Sequence, residues 1–159
     1  MKRWIALLLM SLPVPAAAAE CDHWTAAMEE DEGGKVMMAH ICAPTGNAAH
    51  ELFVQCGAPG ELSIRFIPVA PTSYPPSQNY QTKLEFSMDQ EMFTRPAQYE
   101  DMDGAMALDI KIDAPFVGVL QTQKQVMVSD THGKVPGATF TLKGSKAALA
   151  KVIAACAKQ

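Results

Sequence analysis

The chain has 159 residues, 48% of them hydrophobic, and carries 13 Lys and Arg against 17 Asp and Glu for a net charge of −4. That length is enough for one ordinary hydrophobic core. The acidic balance leaves no basic stripe of the kind that binds nucleic acid or an anionic membrane surface.

The N-terminus, "MKRWIALLLMSLPVPAAAAEC", opens on Lys2 and Arg3, continues with a short apolar run from Ile5 to Leu12, and ends on small residues at Ala17 to Ala19. This is the pattern of a secretory signal cut after Ala19. The run is much shorter than the roughly 20 residues a membrane span needs, and no later stretch reaches that length. Glu20 stands directly before Cys21, where a lipoprotein signal needs a small residue. The expectation is a signal peptide over 1–19 and one soluble, exported domain over 20–159, in the periplasm. Taking Lys2 and Arg3 from the 13 basic residues leaves 11 against 17 acidic ones, so the mature charge is −6.

"HWTAAM" (23–28) and "KVMMAHIC" (35–42) flank the acidic, glycine-containing "EEDEGGK", a connection suited to two antiparallel strands. Cys21 before the first strand and Cys42 at the end of the second then lie side by side, as a disulfide requires. In "KVMMAHIC", Val36, Met38, His40 and Cys42 share one face and Met37, Ala39 and Ile41 the other, so both faces are largely apolar. "HELFVQC" (50–56) and "ELSIRFI" (61–67) form a second pair around "GAPG". Pro68, Pro71, Pro75 and Pro76 then mark an extended loop up to Tyr80, because proline cannot donate to a strand ladder. "TKLEFSM" (82–88) and "AMALDIKI" (105–112) resume the alternation, and "QVMVSD" and "GATFTL" give two more strands. Between "AMALDIKI" and "QVMVSD", "DAPFVGVLQTQK" (113–124) reads as a short helix capped by Asp113 with Pro115 in its first turn.

In "GSKAALAKVIAACAKQ", Ser145 can cap a helix whose Leu149, Val152, Ile153 and Cys156 fall on one face. Cys156 then points into the core, and Cys56 shares an inward strand face with Leu52 and Val54. Four cysteines in an exported chain point to disulfides and allow three pairings. The strand and helix geometry favours Cys21–Cys42 and Cys56–Cys156. The fold class expected is β-rich α+β: a mostly antiparallel, sandwich-like domain of about seven or eight strands with a disulfide-tethered C-terminal helix.

The order "LFVQC-x4-ELSIRF", "LEFSMD", a short helix, a strand pair and "LKGSKAALAKVIAAC" resembles small exported bacterial proteins of the type VI secretion-associated VasI kind and the invasion-associated locus B kind. The shared features are Trp24 in the first strand, Cys56 closing a strand, and Phe140, Leu142 and Gly144 before a helix closed by Cys156. The resemblance implies a disulfide-stapled, non-enzymatic periplasmic accessory domain.

Motifs for chemistry are sparse. The sequence has no G-x-S-x-G elbow, no H-E-x-x-H and no phosphate-cradling glycine loop, and its four histidines, His23, His40, His50 and His132, are scattered. No catalytic residue and no cofactor is expected. "EDMDGAMALD" lacks the closing glutamate of a calcium loop. A soft-metal reading rests on Met38 with His40 and on the M-x3-M spacing of Met88 and Met92, since thioether sulfur suits Cu(I); methionines also simply fill cores. A third reading is an inhibitor or immunity protein against a cell-wall hydrolase, presenting the proline-rich loop with Tyr74 and Tyr80 as anchors. The reading favoured is a binding or accessory domain in the cell envelope that works through a protein partner.

Overall fold

The alternating segments become strands in a computed structural model that describes residues 21–31, 33–69, 74 and 77–158. The signal expected over 1–19 and parts of the proline-rich segment lie outside these residues. The elements are β1 (Thr25–Asp31), β2 (Gly34–Thr45), β3 (Ala48–Cys56), β4 (Glu61–Ile67), β5 (Gln81–Met88), β6 (Glu91–Glu100), β7 (Ala105–Lys111), α1 (Pro115–Leu120), β8 (Gln125–Asp130), β9 (Ala138–Thr141) and α2 (Ser145–Cys156). The strands form one sheet in the order β1-β2-β3-β4-β7-β6-β5-β8-β9, and every neighbouring pair is antiparallel. The fold is therefore β-rich α+β, with nine strands among the described residues where the sequence pattern gives seven or eight.

The added strand is β6, "EMFTRPAQYE". Its polar residues and Pro96 hide it from a search for alternating apolar positions. Pro96 also explains where the sheet opens. The Tyr99 amide donates to the Tyr80 carbonyl and the Ile112 amide to the Gly60 carbonyl. By the alternation of a ladder, Tyr99, Ala97, Arg95 and Phe93 turn their backbone groups toward β5, whereas Gln98, Pro96, Thr94 and Met92 turn theirs toward β7. The β6–β7 pairing runs from Glu100↔Ala105 to Gln98↔Ala107. The next rung would oppose Asp109 to Pro96, which has no N–H to give, and there the two strands part.

At its far ends the sheet curls back on itself. The Trp24 amide donates to the Lys143 carbonyl at 2.8 Å, and its indole Nε1 donates to the Thr141 carbonyl at 2.9 Å. Gly144, at φ 85°, is the residue that permits this closure: a Cβ there would stand 3.1 Å from the Trp24 carbonyl oxygen. The core lies inside the curl. Phe66 meets Phe140 edge-on at 6.0 Å, and Phe116 of α1 packs between Phe86 at 4.8 Å and Phe93 at 5.3 Å.

Neither helix takes the cap its sequence offers. The N-cap of α1 is Ala114, and that of α2 is Gly144, each without a side-chain cap bond. The Ser145 hydroxyl instead donates to the Leu120 carbonyl at 2.7 Å, tying the two helices together. In α2, Leu149 and Val152 are buried, and Ile153 and Cys156 pack against the core. Cys56 and Cys156 are bonded with Cα atoms 5.4 Å apart, and Cys21 and Cys42 with Cα atoms 4.7 Å apart. No helix among the described residues is long and apolar enough to cross a membrane.

Candidate functional site

The side chains of β2, β3 and β4 that do not enter the core line the outer face of the sheet. Successive register partners there are Thr25, His40, Phe53, Arg65, Ala107, Gln98 and Gln81, one residue from each of seven adjacent strands. His40 stacks on Phe53 with ring centroids 4.5 Å apart and planes 18° from parallel. Beside them, Met38 and Phe53 are shared by two clefts. One, of about 310 Å³, is completed by Thr25, Ala27, Glu29 and His40. The other, of about 230 Å³, is completed by Glu30, Gln55, Arg65, Ile67 and Asp103.

The outer face of "KVMMAHIC" is thus half-buried and open to these clefts, while its inner face, with Ala39 and Ile41, is core. The reason is that the packing of α1 and α2 lies on the core side. His40 Nε2 is buried with no hydrogen-bond partner. Burial lowers the pKa of this imidazole, and the carboxylates of Glu51 and Glu29 only partly oppose that effect. A neutral ring with an unpartnered nitrogen at the edge of a cleft is an unusual cost for a fold to carry, because buried polar groups are nearly always paired. Arg65 is held by Glu100 at 2.8 Å and Asp103 at 3.0 Å, so the rim of the face is predominantly acidic.

A second cluster surrounds Asp130. Its carboxylate accepts from the Thr82 hydroxyl, from the Tyr80 hydroxyl at 2.9 Å, and from the amides of His132, Lys134 and Val135 at 3.1, 2.7 and 3.1 Å. Burial pushes this carboxyl up, but the hydrogen bonds from Thr82, the His132 amide, Tyr80 and the Lys134 amide outweigh it and hold the pKa at about 2. His132 Nδ1 stands 2.9 Å from Thr82 Oγ1. A Thr–His–Asp grouping invites comparison with a nucleophile and its base, yet the proton flow is wrong. Thr82 gives its proton to Asp130, so it must accept from an Nδ1–H of His132, which makes His132 a donor and not a base toward Thr82. The cluster anchors the 131–137 loop in the manner of an Asx turn.

The remaining sequence candidates disperse. Met88 is buried in the core, whereas Met92, across the hairpin, is 64% exposed; their M-x3-M spacing straddles a turn and places them on opposite faces. Of the four soft-ligand candidates, only Met38 and His40 share a cleft. No group of three or more His, Cys, Asp or Glu able to hold a metal occurs among the described residues. Tyr74 meets Tyr99 edge-on at 5.3 Å and packs against the core, and burial raises its hydroxyl pKa. Tyr80 is the Asp130 donor already described. His50, stacked on Phe66, accepts from the Val69 amide at 3.0 Å. Sequence reasoning missed Phe53 as the partner of His40; the signal was their place on neighbouring strands, which becomes visible only with the register.

The described residues define a disulfide-stapled, curled antiparallel sheet with an open outer face. Among solved structures, the chain is similar to the crystal structure of invasion associated protein B from Bartonella henselae, with 16% identity, a TM-score of 0.57, and coverage of 86% of this chain and 94% of that one. At this identity the likeness is one of fold. No protein-family model matches the chain, and no curated protein matches it by sequence.

Proposed function

We propose that the chain is an exported, non-catalytic binding domain of the cell envelope, working through protein contacts at the outer face of β1 to β4. The observation that carries this reading is the His40–Phe53 stack, with its unpartnered Nε2, set between two clefts that share Met38. A partner that fits has an apolar centre for Met38 and Phe53, a polar group for His40, and basic residues for the rim of Glu29, Glu30, Glu51 and Asp103. Export is supported by the signal-like N-terminus, and an oxidising compartment by the two cystines. The fold likeness to a protein named for invasion is compatible with an accessory role at the envelope.

The test uses purified, oxidised wild type and a Met38→Asp variant of unchanged circular dichroism to retrieve proteins from an envelope extract. A partner retained by wild type, lost with the variant and bound again in purified form supports the reading. Equal retention by both proteins counts against it, as would a hydrolase activity of the purified protein that His40→Ala abolishes.

A further inference from the structure

We propose that two copies of this chain associate through the free edge of β6, pairing Glu91–Arg95 of one copy antiparallel to the same segment of the other. β6 and β7 part at Pro96. Beyond Gln98↔Ala107 the β7-facing side of β6 has no strand against it among the described residues. The residues that turn backbone N–H and C=O groups to that side are Met92 and Thr94, with Pro96 offering a carbonyl only. Edge groups of this kind, which belong to no ladder, are a template for another strand.

The backbone permits one register that keeps Pro96 out of the ladder. With the two-fold axis at Phe93, Met92 opposes Thr94 of the second copy in both directions, which satisfies all four outward N–H and C=O sets. Phe93 then faces Phe93, and Glu91 faces Arg95 at both ends. Moving the axis to Thr94 would set Pro96 against Met92 and lose an N–H bond in each half. The permitted register thus joins opposite charges twice, and cross-strand pairs of opposite charge stabilise a sheet.

The side chains are already placed for it. Glu91 and Thr94 are exposed, and Met92 is 64% exposed. The Arg95 guanidinium lies 5.7 Å from the Phe93 ring centre and donates to the Thr94 carbonyl at 2.9 Å. It therefore sits at the free edge, where the second copy's Glu91 would arrive. The two terminal edges do not offer this. β1 carries Glu29 and Glu30, like charges that two copies would bring together, and β9 is only four residues long.

Sedimentation velocity of the oxidised protein over a concentration series tests the proposal, with a monomer–dimer equilibrium expected. Thr94→Pro removes an outward N–H that the isolated chain does not use in its ladder, so it keeps the fold while raising the dimer dissociation constant by at least roughly tenfold. Glu91→Arg or Arg95→Glu alone weakens the dimer by about threefold or more, and the double exchange restores it. A protein that stays monomeric throughout the series overturns the proposal. So does a dimer indifferent to Thr94→Pro, or one in which the double exchange is no better than either single change.

Discussion

Replacing Asp130 by Asn removes one charge and changes almost no volume, so its effect isolates what the carboxylate does. In the folded chain the group is 7% exposed, and its pKa of about 2 compares with an ordinary value of 3.8. A difference of 1.8 units corresponds to on the order of 2 kcal/mol at 1.36 kcal/mol per unit. Because the folded pKa is the lower of the two, this stability is fully present above pH 4 and is lost as pH falls from about 4 toward 2. The amide of the Asp130→Asn variant retains one oxygen for the five donors and offers them an N–H₂ in place of the second oxygen. The expected loss at pH 7 is therefore about 2–4 kcal/mol, the pH-linked part plus stranded donors. Urea unfolding at pH 7 and pH 2.5, followed by the fluorescence of the buried Trp24, gives both quantities. Other carboxylates are common to wild type and variant, so the difference in acid sensitivity belongs to this group. Equal stability at pH 7, or an acid-induced loss as large in Asp130→Asn as in wild type, would show that the carboxylate does not hold this loop.

Removing the cystine between Cys56 and Cys156 by paired Ser substitutions opens a loop of 100 residues. The chain-entropy treatment gives a loss of up to about 4.7 kcal/mol, and hydrogen exchange should quicken first in α2. Opening the Cys21–Cys42 loop of 21 residues should cost less, about 3 kcal/mol by the same treatment, as read by the two denaturation midpoints. Gly144→Ala forces a Cβ into the left-handed region and against Trp24, so a loss of about 1–3 kcal/mol is expected in thermal unfolding. His40→Phe keeps a ring on Phe53 and removes the stranded nitrogen, so the variant should be as stable as wild type at pH 7 or up to about 1 kcal/mol more stable. Burial holds the His40 pKa below its ordinary value, so wild type should lose stability as pH falls below about 6.5. The variant should lose less over the same interval.

Period-two alternation located β4, β5 and β7, whose Leu62, Ile64 and Phe66, Leu84, Phe86 and Met88, and Met106, Leu108 and Ile110 enter the core. It passed over β6 because Arg95 interrupts the inward side that Phe93, Ala97 and Tyr99 occupy, and Pro96 speaks against a central strand when the parting from β7 is unknown. α2 was legible from its apolar stripe and α1 from Pro115 in its first turn, but the caps of neither were. Gly144 serves α2 through its positive φ, and Ser145 is taken by Leu120 of the other helix, a contact no local pattern contains. The candidate site was half legible. Alternation in "KVMMAHIC" put Met38 and His40 together, whereas Phe53 and the clefts depend on pairing between strands. The Asp130 anchor was illegible for the same reason: Tyr80 and Thr82 are separated from Asp130 by some fifty residues of chain, and only the β5–β8 pairing brings them together.

A photo-cross-linking side chain in living cells shows whether the outer face of β1 to β4 is the working surface. It is placed at Met38, and for comparison at Met127, which is 44% exposed on β8. A single protein cross-linked from position 38 and absent from position 127 is the predicted result. Cross-links from position 127 alone, or none from either position, would contradict it.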